Sequence, residues 1–193
     1  PSRLPVDERQ AIQDGFERLA AASEGGAAAY TLNFRDGGSI GPNAFALPDG
    51  SLILTDDLVK LADGDREMIL AVLGHEIAHV ERKHSLRQIY RVAGVTALTL
   101  LIAGDVGSGV EDMLTKGGAI LALSYSRTAE AEADRRSVEI MRDAGYEPTA
   151  LVRFFDRIER VSRAPGEVSF LSSHPDTPER REDVLRYARE LEN

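Results

Sequence analysis

The stretch His75-Glu76-Ile77-Ala78-His79 decides the interpretation of this chain, because it fits the pattern H-E-x-x-H. At about 100° per residue, a helix places His75 and His79 roughly 40° apart on one face. Two neutral imidazoles in that position can bind one metal ion, and the glutamate between them can act on a water bound to it. The stretch therefore predicts a helix that carries a metal site.

The residues around this stretch support a helix. Apolar residues recur at spacings of three and four, and there is no proline from Asp65 to Ser85. The apolar positions are Met68, Ile69, Val72, Leu73, Ile77 and Val80. A core helix with two ordinary histidines is the alternative interpretation of this pattern.

A catalytic zinc usually has three protein ligands and a water, so a third ligand must come from elsewhere in the chain. Glu130, in the segment 125–134 (YSRTAEAEAD), is the best candidate. Asp134 is one helical turn further on and can accept a hydrogen bond from the far ring nitrogen of a ligand histidine. Glu132 lies about 200° around the helix from Glu130 and is predicted to face away. Without the first motif, a charged and solvated helix face would explain this segment equally well.

These motifs resemble the zinc endopeptidase family that includes the CAAX prenyl protease, HtpX, Oma-type proteases and BepA-like proteases. Residues 42–50 (PNAFALPDG) look like the family segment N-A-F-A-x-P-x-G. Ser173-His174-Pro175 with Arg180 looks like the family element S-H-P-x-x-x-x-R. Four motifs in the same order thus extend over residues 42 to 180, most of the chain.

The resemblance implies that His75, His79 and Glu130 bind one Zn²⁺ per chain. Zinc lowers the pKa of a bound water toward ~7, so Glu76 can take its proton and pass it to the leaving amine. By the resemblance, His174 lies over the cleft, where it stabilises the oxyanion or caps the zinc in a latent state. Taken alone, Ser-His-Pro before a helix is also ordinary loop chemistry.

Residues 43–54 are predicted to form a hairpin, because extended apolar segments flank Pro48, Asp49 and Gly50. The resemblance implies that its first part is an edge strand beside the zinc cleft, which binds an extended substrate through backbone hydrogen bonds. The residues predicted to bind substrate are Asn43, Ala44, Phe45 and Ala46. An ordinary hairpin with a packed phenylalanine is the alternative.

The remaining pattern is mostly helical, and the predicted fold class is α+β with a small N-terminal sheet beside the active-site helix. Before the motif helix, the helical spacing of Ile12, Phe16 and Leu19 predicts an amphipathic helix. The alternation of Tyr30, Leu32 and Phe34 predicts a strand after it. Gly145 is predicted to end a helix, Pro148 to open the next one through Val161, and Pro178 to open the last one toward Leu191.

Residues 92–104 form the most apolar run, but thirteen residues fall short of the ~20 that cross a bilayer. Core packing is the favoured interpretation; a wall of the substrate cleft or contact with lipid is the alternative. Gly104, Gly107 and Gly109 indicate a flexible connection, not a phosphate loop, before a second apolar helix near residues 113–123. His84 lies about 180° around the helix from His75, so it is interpreted as a surface or second-layer histidine.

The 193 residues, of which 42% are hydrophobic and 28% charged, predict a single peptidase catalytic domain, 1–193. The start at Pro1 predicts a processed product or a fragment of a longer membrane-anchored or secreted protein. The formal net charge of -9 argues against nucleic-acid binding. The basic cluster Arg82, Lys83, Arg87 and Arg91 is interpreted as a solvated face.

The predicted function is a zinc metalloendopeptidase that hydrolyses unfolded or damaged proteins. One rival is a latent or chaperone-like protein that binds polypeptides in the same cleft; a structural metal site, which normally has four protein ligands, is another. The chain has no cysteine, so disulfides and thiolate ligands are excluded. The resemblance implies a bacterial envelope location, periplasmic or tethered to a membrane by segments outside this chain. Oligomeric state and substrates stay open.

Overall fold

The computed structural model describes residues 1–103, 124–162, 169–175 and 178–192. The α+β prediction is confirmed: eight helices and a three-stranded sheet occur in the described ranges. The helices are α1 (Val6–Ala22), α2 (Asp56–Ala62), α3 (Arg66–Glu81), α4 (His84–Ala103), α5 (Arg127–Asp143), α6 (Ala150–Ser162), α7 (Ser169–Ser173) and α8 (Pro178–Leu191). The strands are β1 (Thr31–Arg35), β2 (Ala44–Ala46) and β3 (Ser51–Thr55). Short 3₁₀ turns occur at Ala27–Ala29 and Gly38–Ile40.

The sheet has the order β1-β3-β2, with β1 parallel and β2 antiparallel to β3. The predicted hairpin is confirmed, since Phe45 pairs with Ile53 and the turn is closed by a bond from Gly50 N to Leu47 O. Gly50 has φ +87°, and a Cβ there would lie 2.1 Å from the carbonyl oxygen of Ala29. Only glycine fits this turn without displacing the neighbouring backbone.

Helix α3 is the centre of the fold. Every residue from Met68 to His79 is buried, as expected for a helix with apolar residues on all sides. The helix begins at an N-cap, where the Asp65 carboxylate accepts a hydrogen bond from the backbone N–H of Met68 at 3.0 Å. It ends at Glu81, and Lys83, with a left-handed φ of +54°, turns the chain into α4.

The flanking elements follow the predicted pattern. Ile12, Phe16 and Leu19 of α1 are buried in the core, and α5 ends just before Gly145, which has φ +79°. Helix α8 begins at Pro178 and runs to Leu191. One buried apolar cluster draws residues from α1, the sheet, α2, α3 and α5 to α8. The single domain 1–193 stays a prediction.

The prediction of core packing for residues 92–104 is wrong for the described side chains. Val95, Leu98, Leu101 and Ile102 of α4 have exposed fractions of 61%, 56%, 83% and 79%. The reason is that only the second half of α4 is apolar, and within the described part of the chain no element packs over these four side chains. No helix in the described ranges is long and apolar enough to span a membrane. The glycine-rich connection and the predicted helix near 113–123 lie outside the described residues.

Asp65 joins the start of α3 to α6, because its carboxylate also accepts hydrogen bonds from Arg153 Nε and Nη2 at 2.7 and 3.1 Å. We expect Asp65→Ala to lower the free energy of unfolding by about 1–2 kcal/mol at pH 7, mainly through loss of the helix cap. Chemical denaturation monitored by circular dichroism measures this change.

The pH dependence of the same variant tests the ion pair. The hydrogen bond from Arg153 lowers the pKa of Asp65. The stabilisation of the folded protein by this ion pair is therefore complete above the unfolded pKa of about 4, and it is lost as the pH falls through the folded pKa. The difference between native protein and Asp65→Ala should shrink below pH 4. Asp65→Asn, which keeps an N-cap residue, should be the milder variant, and an equal loss in both would contradict the role of the cap.

Candidate metal centre

Helices α3 and α5 bring the predicted ligands His75, His79 and Glu130 together in the buried interior. The Nε2 atoms of His75 and His79 are 2.9 Å apart. Glu130 Oε2 lies 3.5 Å from His75 Nε2, and Glu130 Oε1 lies 3.4 Å from His79 Nε2. All three side chains are at most 1% exposed. The spacing within each helix and the packing between them thus aim two nitrogens and a carboxylate at one point.

His174, which follows α7, joins this group. Its Nδ1 lies 3.3 Å from His75 Nε2 and 3.1 Å from Glu130 Oε1. One ligand atom from each of His75, His79, Glu130 and His174 lies within 4.8 Å of the other three. His174 is buried and its ring stacks on Phe170 of α7, with ring centroids 4.5 Å apart. The segment after α7 is thereby fixed over the other three residues.

The donor set fits a zinc ion. Zinc binds nitrogen and carboxylate oxygen at about 2.0–2.2 Å, so the ligand atoms of a tetrahedral site are about 3.3 Å apart. The five separations given above range from 2.9 to 3.5 Å, and with one ligand atom taken from each residue all four lie within 4.8 Å of one another. Imidazole nitrogen with carboxylate is a ligand type that suits zinc. These residues could therefore hold one Zn²⁺ without rearrangement of the helices.

Electrostatics favours the protonation states that a metal needs at two of these residues. Burial and the neighbouring His75 hold the pKa of His79 well below its ordinary value. Burial opposes ionisation of Glu130, but His174 and hydrogen bonds from the histidines hold its pKa well below the usual range. A neutral imidazole and an ionised carboxylate are the forms that bind metals.

Asp134 lies where the helical spacing predicted it, behind His75. Its Oδ1 is 2.9 Å from His75 Nδ1, on the ring edge that faces away from the cluster. Burial disfavours the charged imidazolium, but hydrogen bonds with Asp134 and Glu130 raise the pKa of His75 to about 9. A bound metal has to displace that proton, so acid should weaken metal binding. The predicted orienting role of Asp134 has the geometry that it requires.

Arg180 supplies the positive charge for this acidic cluster, and sequence reasoning placed it only in a motif without a role. Its Nε and Nη2 donate to the two oxygens of Asp134, both at 2.7 Å. Its Nη1 lies 2.8 Å from Glu130 Oε2. Arg180 is 6% exposed. Its guanidinium binds the Asp134 carboxylate in the bidentate geometry that arginine prefers. The arginine of the S-H-P-x-x-x-x-R element could have been predicted to pair with the buried carboxylates of the site.

His84 is a second-layer residue, as one of its two interpretations held, but the surface alternative is wrong, since it is 4% exposed. Its Nδ1 lies 2.9 Å from His79 Nδ1, and its Nε2 lies 3.1 Å from Glu132 Oε2. Since His79 faces the cluster through Nε2, its Nδ1–H can donate to His84, whose Nε2–H then donates to Glu132. The turn at Lys83 makes this contact, which a continuous helix would forbid.

Tyr125 completes this side of the site and was not predicted. Its ring stacks on the His79 imidazole with centroids 4.0 Å apart. Its hydroxyl lies 2.7 Å from Ser85 Oγ at the start of α4. The tyrosine therefore holds the His79 ring in place from the side.

Glu76 is buried beside the cluster, with an exposed fraction of 1%. Burial raises the pKa of its carboxyl, while His174 and His75 oppose that rise. Its Oε1 lies 3.4 Å from His174 Nε2. A carboxyl with a raised pKa suits a general base and acid.

The predicted substrate strand lies next to this centre. Strand β2 pairs with β3 on one side only, so it is an edge of the described sheet, and it packs against α3. Ala44 and Ala46 are buried, whereas Phe45 is half-buried. Asn43 is buried, and its N–H donates to Thr55 Oγ1 at 2.8 Å. Substrate binding by residues 43–46 stays a prediction.

A buried cluster of this type, on a helix with H-E-x-x-H in a mostly helical α+β fold, defines a metallopeptidase. Residues 7–188 match Peptidase family M48, and the chain belongs to this family. The predicted resemblance is thereby confirmed.

Named relatives agree with this assignment. The chain is 30% identical over 142 residues to mitochondrial metalloendopeptidase OMA1 of Schizosaccharomyces pombe. The aligned region covers 72% of this chain and 41% of the relative. It is 30% identical over 162 residues to the beta-barrel assembly-enhancing protease of Yersinia pestis, with 77% and 33% covered. It is 30% identical over 146 residues to metalloprotease LoiP of Escherichia coli, with 74% and 57% covered. The chain thus spans from a third to just over half of these relatives.

The contact between His79, His84 and Glu132 predicts an effect on metal affinity. We expect His84→Ala to weaken zinc binding about 10- to 100-fold, because His79 loses the acceptor that fixes its tautomer. His84→Asn, whose side-chain oxygen can still accept from His79, should lose less. Competition titration of the metal-free protein with a zinc-binding dye measures the affinity.

Glu190→Gln, on the exposed face of α8, is the control for the loss of a carboxylate and should leave the affinity unchanged. Glu132→Gln keeps an acceptor for His84 but removes the negative charge, so its effect should be smaller than that of His84→Ala. Unchanged zinc affinity in His84→Ala, with the fold intact by circular dichroism, would show that His84 does not orient His79.

Proposed function

We propose that this chain is the catalytic domain of a zinc-dependent endopeptidase that hydrolyses peptide bonds of unfolded or damaged proteins. The observation that carries the proposal is the placement of buried Glu76 next to a four-residue donor set that fits zinc. A binding protein would not need a carboxyl with a raised pKa beside its metal. Family membership supports the same activity.

His75, His79 and Glu130 would hold the ion, with one zinc per chain. Zinc bound there would supply Lewis-acid chemistry, lowering the pKa of a water toward ~7. Glu76 would take the proton of that water and pass it to the nitrogen of the leaving amine. Asp134 would keep the His75 ring oriented, and His84 would do the same for His79. The burial of all these groups strengthens each electrostatic interaction.

The substrate would bind as an extended chain along the free edge of β2. Backbone hydrogen bonds to residues 43–46 supply affinity without reading side chains, which suits unfolded polypeptides of varied sequence. The adjacency of β2 to α3 supports this part of the proposal.

His174 supports a second, latent state of the same site. Its Nδ1 is at the fourth corner of the donor set, where a water or substrate oxygen would bind. In this arrangement the histidine caps the site, and its Nε2 is near Glu76. A latent protein that binds polypeptides without cutting them is therefore the alternative function. Displacement of His174 would convert the capped site to an open one, in which the same side chain is within reach of an oxyanion.

The cellular setting is also a proposal. The relatives include proteins named as a mitochondrial metalloendopeptidase and as a beta-barrel assembly-enhancing protease. We place this chain in a bacterial cell envelope, in the periplasm or tethered to a membrane through segments outside it. Its partner is then a polypeptide substrate of that compartment.

Glu76→Gln tests the role of the general base. The variant should keep one zinc per chain, since Glu76 is not among the predicted ligands, and should cleave unfolded casein about 100- to 10,000-fold more slowly. Elemental analysis and a casein cleavage assay measure the two properties. Native protein treated with a chelator should lose activity and regain it with zinc. An active Glu76→Gln variant would overturn the assignment.

His174→Ala tests the capped state. Because removal of the imidazole opens the fourth position, we expect zinc to be retained and the initial rate of casein cleavage to rise several-fold. Phe170→Leu, which removes the ring stacked on His174, should shift the rate in the same direction but by less. A rate that falls about 10-fold or more with zinc retained would contradict capping and identify His174 as an oxyanion donor.

A further inference from the structure

A cavity of about 280 Å³ adjoins the metal centre on the side of His79. Its lining includes His84 and Tyr125, and both of these side chains touch the His79 ring. A group bound in the cavity would therefore be separated from a predicted metal ligand by the thickness of one ring. The activity proposed above does not yet use this space.

Two arginines one helical turn apart on α4, Arg87 and Arg91, line the same cavity. Both are exposed, and neither has an ion-pair partner within the described ranges of the chain. Among the described residues of the lining, Glu132 is the one carboxylate, and it already accepts a hydrogen bond from His84 Nε2 at 3.1 Å. The described lining thus offers two guanidinium groups without an ion-pair partner, and its carboxylate is already hydrogen-bonded to His84.

The rest of the basic cluster does not belong to this wall. Arg82 lies 3.7 Å from Glu24 of the segment after α1, and Lys83 forms the turn between α3 and α4. Arg87 and Arg91 are exposed, as the interpretation of the cluster as a solvated face expects, and they also border a concave space beside the predicted metal ligands.

The size and charge of the cavity define the ligand. Small-molecule sites usually measure about 300–1,000 Å³, so 280 Å³ suits a single side chain or a chain end. Guanidinium groups bind carboxylates through two parallel hydrogen bonds. Gln88 lines the cavity as well, with its amide held by the carbonyl oxygen of Ser124 at 3.1 Å. These polar walls do not suit an apolar side chain.

We propose that this cavity is a substrate subsite for a carboxylate, from an acidic side chain or from the C-terminus of the chain being cut, near the scissile bond. The subsite rests on the proposed endopeptidase function, since it takes the polypeptide as its ligand. Arg87 and Arg91 are its specificity residues. They bind the carboxylate and thereby set which segment of an extended substrate stops at the metal.

Binding of peptides to zinc-loaded Glu76→Gln protein tests the subsite without cleavage. Four fluorescent pools of nonapeptides are compared by anisotropy. Two contain Asp and Glu, and two contain Asn and Gln in their place. In each pair, one pool has a free C-terminus and the other an amidated one. The pool with both kinds of carboxylate should bind about 10-fold more tightly than the pool with neither. The two mixed pools tell which source of carboxylate is bound.

The matched variants assign the effect to the cavity. Arg87→Gln/Arg91→Gln in the Glu76→Gln background should bind all four pools with the weaker affinity. Arg18→Gln/Arg66→Gln removes the same charge from exposed positions of α1 and α3 and should keep the difference. Equal binding of the four pools, no binding of any, or a difference that persists in the cavity variant would overturn the subsite.

Cleavage by native protein separates this proposal from the endopeptidase function. Mapping of the cuts in unfolded casein by mass spectrometry should show acidic residues, or a chain end, enriched at one fixed distance from the cut bond. Arg87→Gln/Arg91→Gln should lose that enrichment. Cuts without any enrichment would overturn the subsite and keep the endopeptidase. Tight binding of the carboxylate pools without any cleavage would overturn the endopeptidase and keep the carboxylate site.

Discussion

The close packing of α3 on α5 is the contact on which the rest of the site depends. Small residues face each other there: Ser137 Oγ donates to the carbonyl oxygen of Ala71 at 2.9 Å, and a Cβ at Gly74 would lie 3.1 Å from Ser137 Oγ. This approach puts Glu130 within 3.5 Å of the His75 imidazole. The motif on α3 supplies only two nitrogens, and the third donor comes from α5. Its distance from them is set by the small residues at the contact between the two helices. Packing at Gly74 is in this sense part of the candidate metal centre.

The same packing buries three carboxyl groups, those of Glu76, Glu130 and Asp134, and buried charge is costly unless it is paired. Arg180 compensates Glu130 and Asp134 from α8, at the far end of the chain. Glu76 has no such arginine among the described residues, and burial raises its pKa. The fold therefore lowers the pKa of the Glu130 and Asp134 carboxyls and raises that of Glu76. That division matches the different tasks proposed for them as a ligand, an orienting residue and a base.

The sequence predicted what depends on spacing within one helix. His75 with His79, and Glu130 with Asp134, follow from the helical period, and the hairpin follows from its turn residues. The break at Lys83 could not be predicted from helical periodicity, so the sequence left His84 open between the surface and a second layer, and its contact with His79 was missed. Arg180 was named only through a motif, because its partners are some fifty residues away. The packing of α4 was mispredicted, since apolar composition does not say which surface covers a helix.

The two histidines of α3 are held by different kinds of partner. His75 is backed by Asp134 and Arg180 inside the helical core, where both partners are buried. His79 is backed by His84 and flanked by Tyr125, and these two residues also line the cavity with the arginines of α4. A carboxylate bound in that cavity would press on the side chains that orient His79 and not on those that orient His75. The partners of His75 are thus set by the packing of the core, and the partners of His79 are the ones that a polypeptide bound in the cavity would contact.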